Sequence, residues 1–159
     1  MTKVIKNSKI TDSNFILVRE QDIDIDVGNQ LFPLSIYLQN LETLVGRRDY
    51  GIWIDSHEEI EVLAEKIYCD TIALNFPSFN DGRPYSSANL LRQRLKFQGE
   101  IRAVGDVRRD QLEQMVRCGF NAFEMAEDTD LEASLASLQG FTVNYQTTAD
   151  RPEPLFRKR

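Results

Sequence analysis

From residue 51 onward, short apolar runs alternate with segments of helical periodicity, and this alternation restricts the chain to architectures in which helices cover a sheet. "GIWI" precedes "DSHEEIEVLAEKI", where Ser56 and Glu59 have capping-box spacing and Ile60, Leu63, Ala64 and Ile67 share one helical face. "TIALNF" then leads, through a long polar connection, to "SSANLLRQRL", with Ala88, Leu91 and Leu95 on one stripe. "GEIRAVGDV" is followed by "RRDQLEQMVRC", whose Leu112, Met115 and Val116 face a core and whose stop is Gly119. "FNAFEM", a helix over "DLEASLASLQ" opened by a Thr129/Glu132 capping box, and a closing strand "FTVNYQ" complete the series. Gly99, Gly119 and Gly140 each precede a strand, as short helix-to-strand turns require.

The expected fold class is therefore α/β: repeated β-α units with a mainly parallel sheet, built as an open three-layer sheet or an incomplete β/α barrel, after a short irregular N-terminal segment. Strand-and-helix periodicity is the same in both architectures, so the order of strands stays open, as does completion of a barrel by self-association. A chain of 159 residues is the size of one domain. We read residues 1–30 as an N-terminal strand segment, 31–154 as the α/β core and 155–159 as a basic tail. "NFILVREQDIDIDVGN" suggests one or two antiparallel strands, with Asp22, Asp24 and Asp26 as alternating solvent-facing carboxylates rather than a calcium loop. "PLSIYLQNLETLV" suggests one helix with Leu34, Leu38, Leu41 and Val45 inward.

Charge and cysteine usage narrow the function classes. A formal charge of -6 repels a phosphate backbone, so no nucleic-acid partner is expected. "MTKVIKNSKI" is interrupted by charges at once and nothing downstream is long and apolar enough to span, so no membrane partner is expected and the chain reads as cytoplasmic. Cys69 and Cys118 lie far apart without ligand-spaced partners, which points to buried thiols and to no metal site. His57, the only histidine, reads as a first-turn surface residue. No phosphate-binding glycine motif is present, so no cofactor is implied by motif.

Strand-end loops collect ligand sites in parallel α/β proteins. Asp55, the stretch Asp81 to Ser86, and Asp106 should share one such edge, where Arg83 with the Ser86 and Ser87 hydroxyls could hold a small anion at a helix start. The plainer interpretation has Ser86 capping its helix and Asp81 paired with Arg83 to hold the loop. Arg102 and Asp106, two pleats apart on one strand face, form either a structural pair or a ligand-facing one. Arg92 reads as a solvated helix residue, and Cys118, at a helix C-terminus, as an inert thiol.

The strings "FPSFNDGRPYSSANLLRQR" and "GEIRAVGDVRRDQLEQMVRCGFNAFEM", with "NYQ" and "PLFRKR" near the end, resemble a bacterial family that is a domain of unknown function described as an oxidoreductase involved in sulfite reduction. The resemblance extends over nearly all of residues 30–159. Its characteristic segments fall here on Asp81, Gly82, Arg83, Tyr85 and Ser86, then on Arg102, Gly105, Asp106, Asp110 and Gln111, then on Arg117, Cys118 and Gly119. The candidate anion site is Asp81, Arg83, Ser86, Arg102 and Asp106, to which the resemblance adds Tyr85, with Asp110, Gln111, Arg117 and Cys118 secondary. It implies a role beside sulfite reductase as partner. Two cysteines cannot build a four-cysteine cluster, so the chain is not the siroheme-bearing reductase. The expected function is an accessory of assimilatory sulfite reduction acting by electron delivery or docking, in which the tail "PLFRKR" could meet an acidic partner. A small-anion-binding enzyme or binding protein is the alternative. A flavin-dependent oxidoreductase is a second one, carried by the resemblance alone.

Overall fold

A computed structural model describes residues 2–19, 21 and 23–140. Eight strands form one sheet: β1 (Thr2–Lys6), β2 (Lys9–Ser13), β3 (Ile16–Leu17), β4 (Gln30–Pro33), β5 (Tyr50–Ile54), β6 (Thr71–Phe76), β7 (Glu100–Gly105) and β8 (Ala122–Phe123). Their spatial order is β2-β1-β8-β7-β6-β5-β4-β3. The helices are α1 (Leu34–Gln39), α2 (Leu41–Leu44), α3 (Arg83–Gln93), α4 (Leu112–Cys118) and α5 (Leu131–Gln139), with 3-10 turns at Ile60–Leu63 and Arg109–Gln111.

The sheet is mixed and curled, a half-barrel. β3 to β8 run parallel, whereas β1 pairs antiparallel with both β2 and β8. The β1–β2 turn is made by Asn7 and Ser8, both at positive φ (53° and 60°), the signs of the hairpin turn whose twist matches its strands. The edge strands β2 and β3 are separated by only Asn14 and Phe15. Three Cα steps of about 3.8 Å connect Ser13 to Ile16, so the two edges approach within about 11 Å.

Alternation along the strands separates two faces. Ile52, Ile54, Ile72, Leu74, Phe76, Ile101 and Ala103 pack under the helices in the main core, with Leu91, Leu112 and Met115. Leu31, Ala73 and Val104 form a second cluster on the concave face, against Phe15, Leu17 and Trp53. Arg102 lies on this concave face and is only 3% exposed. Its Nε donates to Glu100 Oε1 at 2.7 Å and its Nη1 to Ser13 Oγ at 2.8 Å, with the Phe15 ring 5.6 Å below the guanidinium. Lys6 Nζ reaches the other Glu100 oxygen at 2.5 Å. β1, β2 and β7 are thereby tied together across the curl.

This architecture corrects the expected series of repeated β-α units on a mainly parallel sheet. The N-terminal segment is not irregular: it supplies the antiparallel hairpin β1–β2 and then β3, which lies in "NFILVREQDIDIDVGN" and pairs parallel with β4 instead of forming the antiparallel strands expected there. The helix expected over "DSHEEIEVLAEKI" is a single 3-10 turn. Glu58, not Glu59, reaches back, accepting from the Asp55 N–H at 2.7 Å, and Ala64 stops the turn at φ 39°. Ile60 and Leu63 are buried, and a spacing of three suits a 3-10 turn as well as an α-helix. β8 is two residues long, and the expected closing strand "FTVNYQ" and tail 155–159 lie outside the described residues.

Smaller differences have local causes. The helix expected over "PLSIYLQNLETLV" breaks at Asn40 (φ −125°), so Leu34, Tyr37 and Leu44 face inward while Val45 is exposed. Asp24 and Asp26 sit in a turn closed by the Asp26 N–H on Asp24 Oδ1 at 3.1 Å, and Asp22 lies outside the described residues. Asp130, rather than Thr129, caps α5, accepting from the Ala133 N–H at 3.1 Å. Among the described residues no helix is long and apolar enough to cross a membrane.

Candidate functional site at the strand ends

The carboxyl ends of β5, β6 and β7 place Asp55, Asn75 and Asp106 along one edge of the sheet. Asp55 Oδ1 accepts from its neighbour's Ser56 N–H at 2.8 Å and from Asn75 Nδ2 at 3.1 Å, which fixes this carboxylate. Ser56 Oγ in turn accepts from Arg83 Nη2 at 2.9 Å. Arg83 grips Asp81 in a fork, Nε to Oδ1 at 3.0 Å and Nη2 to Oδ2 at 2.7 Å, and its backbone N–H donates to Oδ1 at 3.0 Å. The guanidinium holds the Asp81 carboxyl well below the usual carboxylate range, and the carboxylate raises Arg83 in return. The loops after β5 and β6 are thus joined.

The next loop is tied on by Asp106 and Gln111. Asp106 Oδ2 accepts the Phe79 N–H at 3.0 Å, Gln111 Nε2 donates to the Phe79 carbonyl, and Arg108 bridges Asp106 (2.6 Å) to Asp128 (2.7 Å). Gly105 permits this turn out of β7: it stands at φ +93°, and a Cβ there would lie 2.4 Å from the Phe76 carbonyl oxygen.

The structure brings together Asp81, Arg83, Asp106 and Gln111 on this rim, and places the other candidates elsewhere. Tyr85 is buried edge-on against Phe76, ring centroids 5.2 Å apart, with a hydroxyl that has no hydrogen-bond partner among the described residues; burial raises its pKa. Ser86 is exposed and does not cap α3, which begins at Arg83 after Gly82 with Pro84 in its first turn. Arg102 pairs with Glu100, not with Asp106. Asp110 is exposed in the 3-10 turn, Arg117 pairs with Glu113 one helical turn earlier, and Cys118 is half-buried at the end of α4. Arg83, Arg102, Arg108 and Arg117 therefore all carry a carboxylate partner.

Beside this rim, at the ends of β4 and β5, opens a cavity of about 380 Å³ lined by Arg19, Ser35, Trp53, Asp55, His57 and Glu58 among others. Trp53 forms a fixed wall, its indole Nε1 donating to the Val18 carbonyl at 2.9 Å. His57 Nδ1 is 3.8 Å from Asp55 Oδ2, and the imidazole is 69% exposed. Arg19 makes no ion pair among the described residues. The cavity offers one uncommitted guanidinium, an imidazole beside a carboxylate, and an aromatic surface, a set able to orient a small ligand by charge and to exchange a proton with it.

Of these residues, sequence reasoning reached Asp55 alone. Trp53 and Asp55 share a face because strand side chains alternate, and "WIDSH" sets the only tryptophan and only histidine around that carboxylate at a strand end. Arg19 had no comparable signal, since its place depends on β3 joining β4.

Residues 51–156 match the family model described as a bacterial protein of unknown function (DUF934). No curated protein and no solved structure matches the chain.

Proposed function

The chain belongs to this bacterial family, whose model spans two thirds of its length, and from that premise we propose that the protein is an accessory of assimilatory sulfite reduction that holds a small anion in the cavity at the strand ends. The observation that carries the reading is Arg19, the cavity's guanidinium, which has no carboxylate of its own among the described residues. An exposed guanidinium without an ion-pair partner among the described residues, lining a concave and partly apolar cavity, is free to pair with an anionic ligand. Asp55, which lines the cavity, is held in place by Ser56 and Asn75 before any ligand arrives. The resemblance of the "FPSFNDGRPYSSANLLRQR" region supports a sulfur oxyanion as that ligand and sulfite reductase as the partner it serves.

Trp53 lines the cavity and is the only tryptophan, so its emission reports occupancy directly. Titration with sulfite should give a saturable change, and Arg19→Ala should weaken binding about tenfold or more, the size of a charge-assisted hydrogen bond. Thermal unfolding should shift little, because Arg19 is exposed. A flat Trp53 response to sulfite overturns the ligand reading. Failure of the tagged full chain to retain sulfite reductase from cells grown on sulfate overturns the partner reading.

A further inference from the structure

The charges lining the cavity restrict its ligand more narrowly than anion. Arg19 contributes one positive charge, and Asp55 and Glu58 contribute two negative ones. With His57 neutral these described residues sum to one negative charge; with His57 protonated they sum to zero. Neither state supplies the second positive charge that a dianion needs. The rim guanidinium that reaches Ser56, that of Arg83, is held by Asp81 through both oxygens. Glu58 is fixed in place by the Asp55 N–H on its Oε2, so its charge cannot swing away. Asp55 Oδ1 takes two N–H donors, whereas Oδ2 faces His57 at 3.8 Å, beyond hydrogen-bond length, and remains an acceptor for a ligand hydroxyl.

Resting on the proposed anion site, we infer that the cavity selects singly charged sulfur oxyanions over doubly charged ones. The anionic oxygens of such a ligand face Arg19, and a hydroxyl, where the ligand carries one, faces Asp55 Oδ2. A dianion meets Glu58 and Asp55 with no second cation beside Arg19 among the described lining residues, a like-charge opposition that specificity by repulsion exploits.

Sulfate and methanesulfonate separate the possibilities, since both are tetrahedral at sulfur and differ by one charge. At neutral pH, Trp53 emission of the full chain should report methanesulfonate binding about tenfold tighter than sulfate. Glu58→Gln, which keeps an acceptor for the Asp55 N–H and removes a charge, should reduce that ratio to near unity by strengthening sulfate. Arg19→Ala should weaken both. Sulfate binding as tightly as methanesulfonate, or a ratio untouched by Glu58→Gln, overturns the charge selection while leaving the anion site standing. No response to either probe or to sulfite overturns the site itself and the selection with it.

Discussion

Gly119 and Arg92 show how far one position can be read from its neighbours. Gly119 ends α4 at φ +115°, which a C-terminal cap glycine predicts from sequence alone. What sequence does not display is the space: a Cβ at Gly119 would lie 2.5 Å from Arg92 Cγ. Arg92 crosses this point to donate to the carbonyls of Gly119 (3.0 Å), Phe97 (2.9 Å) and Gly99 (2.8 Å). It is therefore a staple between the ends of α3 and α4, not the solvated residue its helical position suggests, and burial depresses its pKa. Gly119→Ala should cost roughly 2–4 kcal/mol, combining left-handed strain with displacement of that side chain. Urea unfolding measures it, and a loss near zero would mean that Arg92 relocates without penalty.

Among elements, legibility followed burial. β6 and β7 are buried strands paired on both sides, with β7 carrying Ile101, Ala103 and Val104 around the charged Arg102, and their spans match those read from "TIALNF" and "GEIRAVGDV" closely. The short elements did not declare themselves. Ile60 and Leu63 fit two helix types, and β1 and β2 are charged strands whose pairing rests on a tight turn at Asn7 and Ser8. The candidate rim was half legible for the same reason: "NDGRPYS" lies after a clear strand, while the cavity's Arg19 depends on a two-residue strand, β3. The loop after β6 carries its own test. Because the Asp81 pKa is lowered in the folded protein, its ion pair contributes stability that is present above the ordinary carboxylate value, about 3.9, and is lost as pH falls below it. The melting-temperature difference between the wild-type protein and Asp81→Asn should be constant from neutral pH down to about 5 and shrink towards zero in stronger acid. A difference independent of pH would mean that the carboxylate charge adds nothing.

At the scale of the molecule, the curl is held by a buried charge set rather than by apolar packing alone. Arg102 and Glu100 are 3% and 6% exposed at their side chains and meet Lys6 and Ser13 from the hairpin. Arg102→Met should cost roughly 3–5 kcal/mol by leaving Glu100 under-compensated, and pairing it with Glu100→Gln should recover a large part, which a double-mutant cycle in urea measures. Strictly additive losses would show that the pair is uncoupled. The pairing of β1 with β8 orders events in time. Ile5 pairs with Phe123, more than a hundred residues along the chain, so the hairpin is synthesised well before the strand it needs. Until β8 emerges, β1 exposes an unpaired edge, and loop-closure entropy delays its docking behind the local β6–α3–β7 contacts. The hairpin is therefore synthesised before the β6–α3–β7 unit and docks after it.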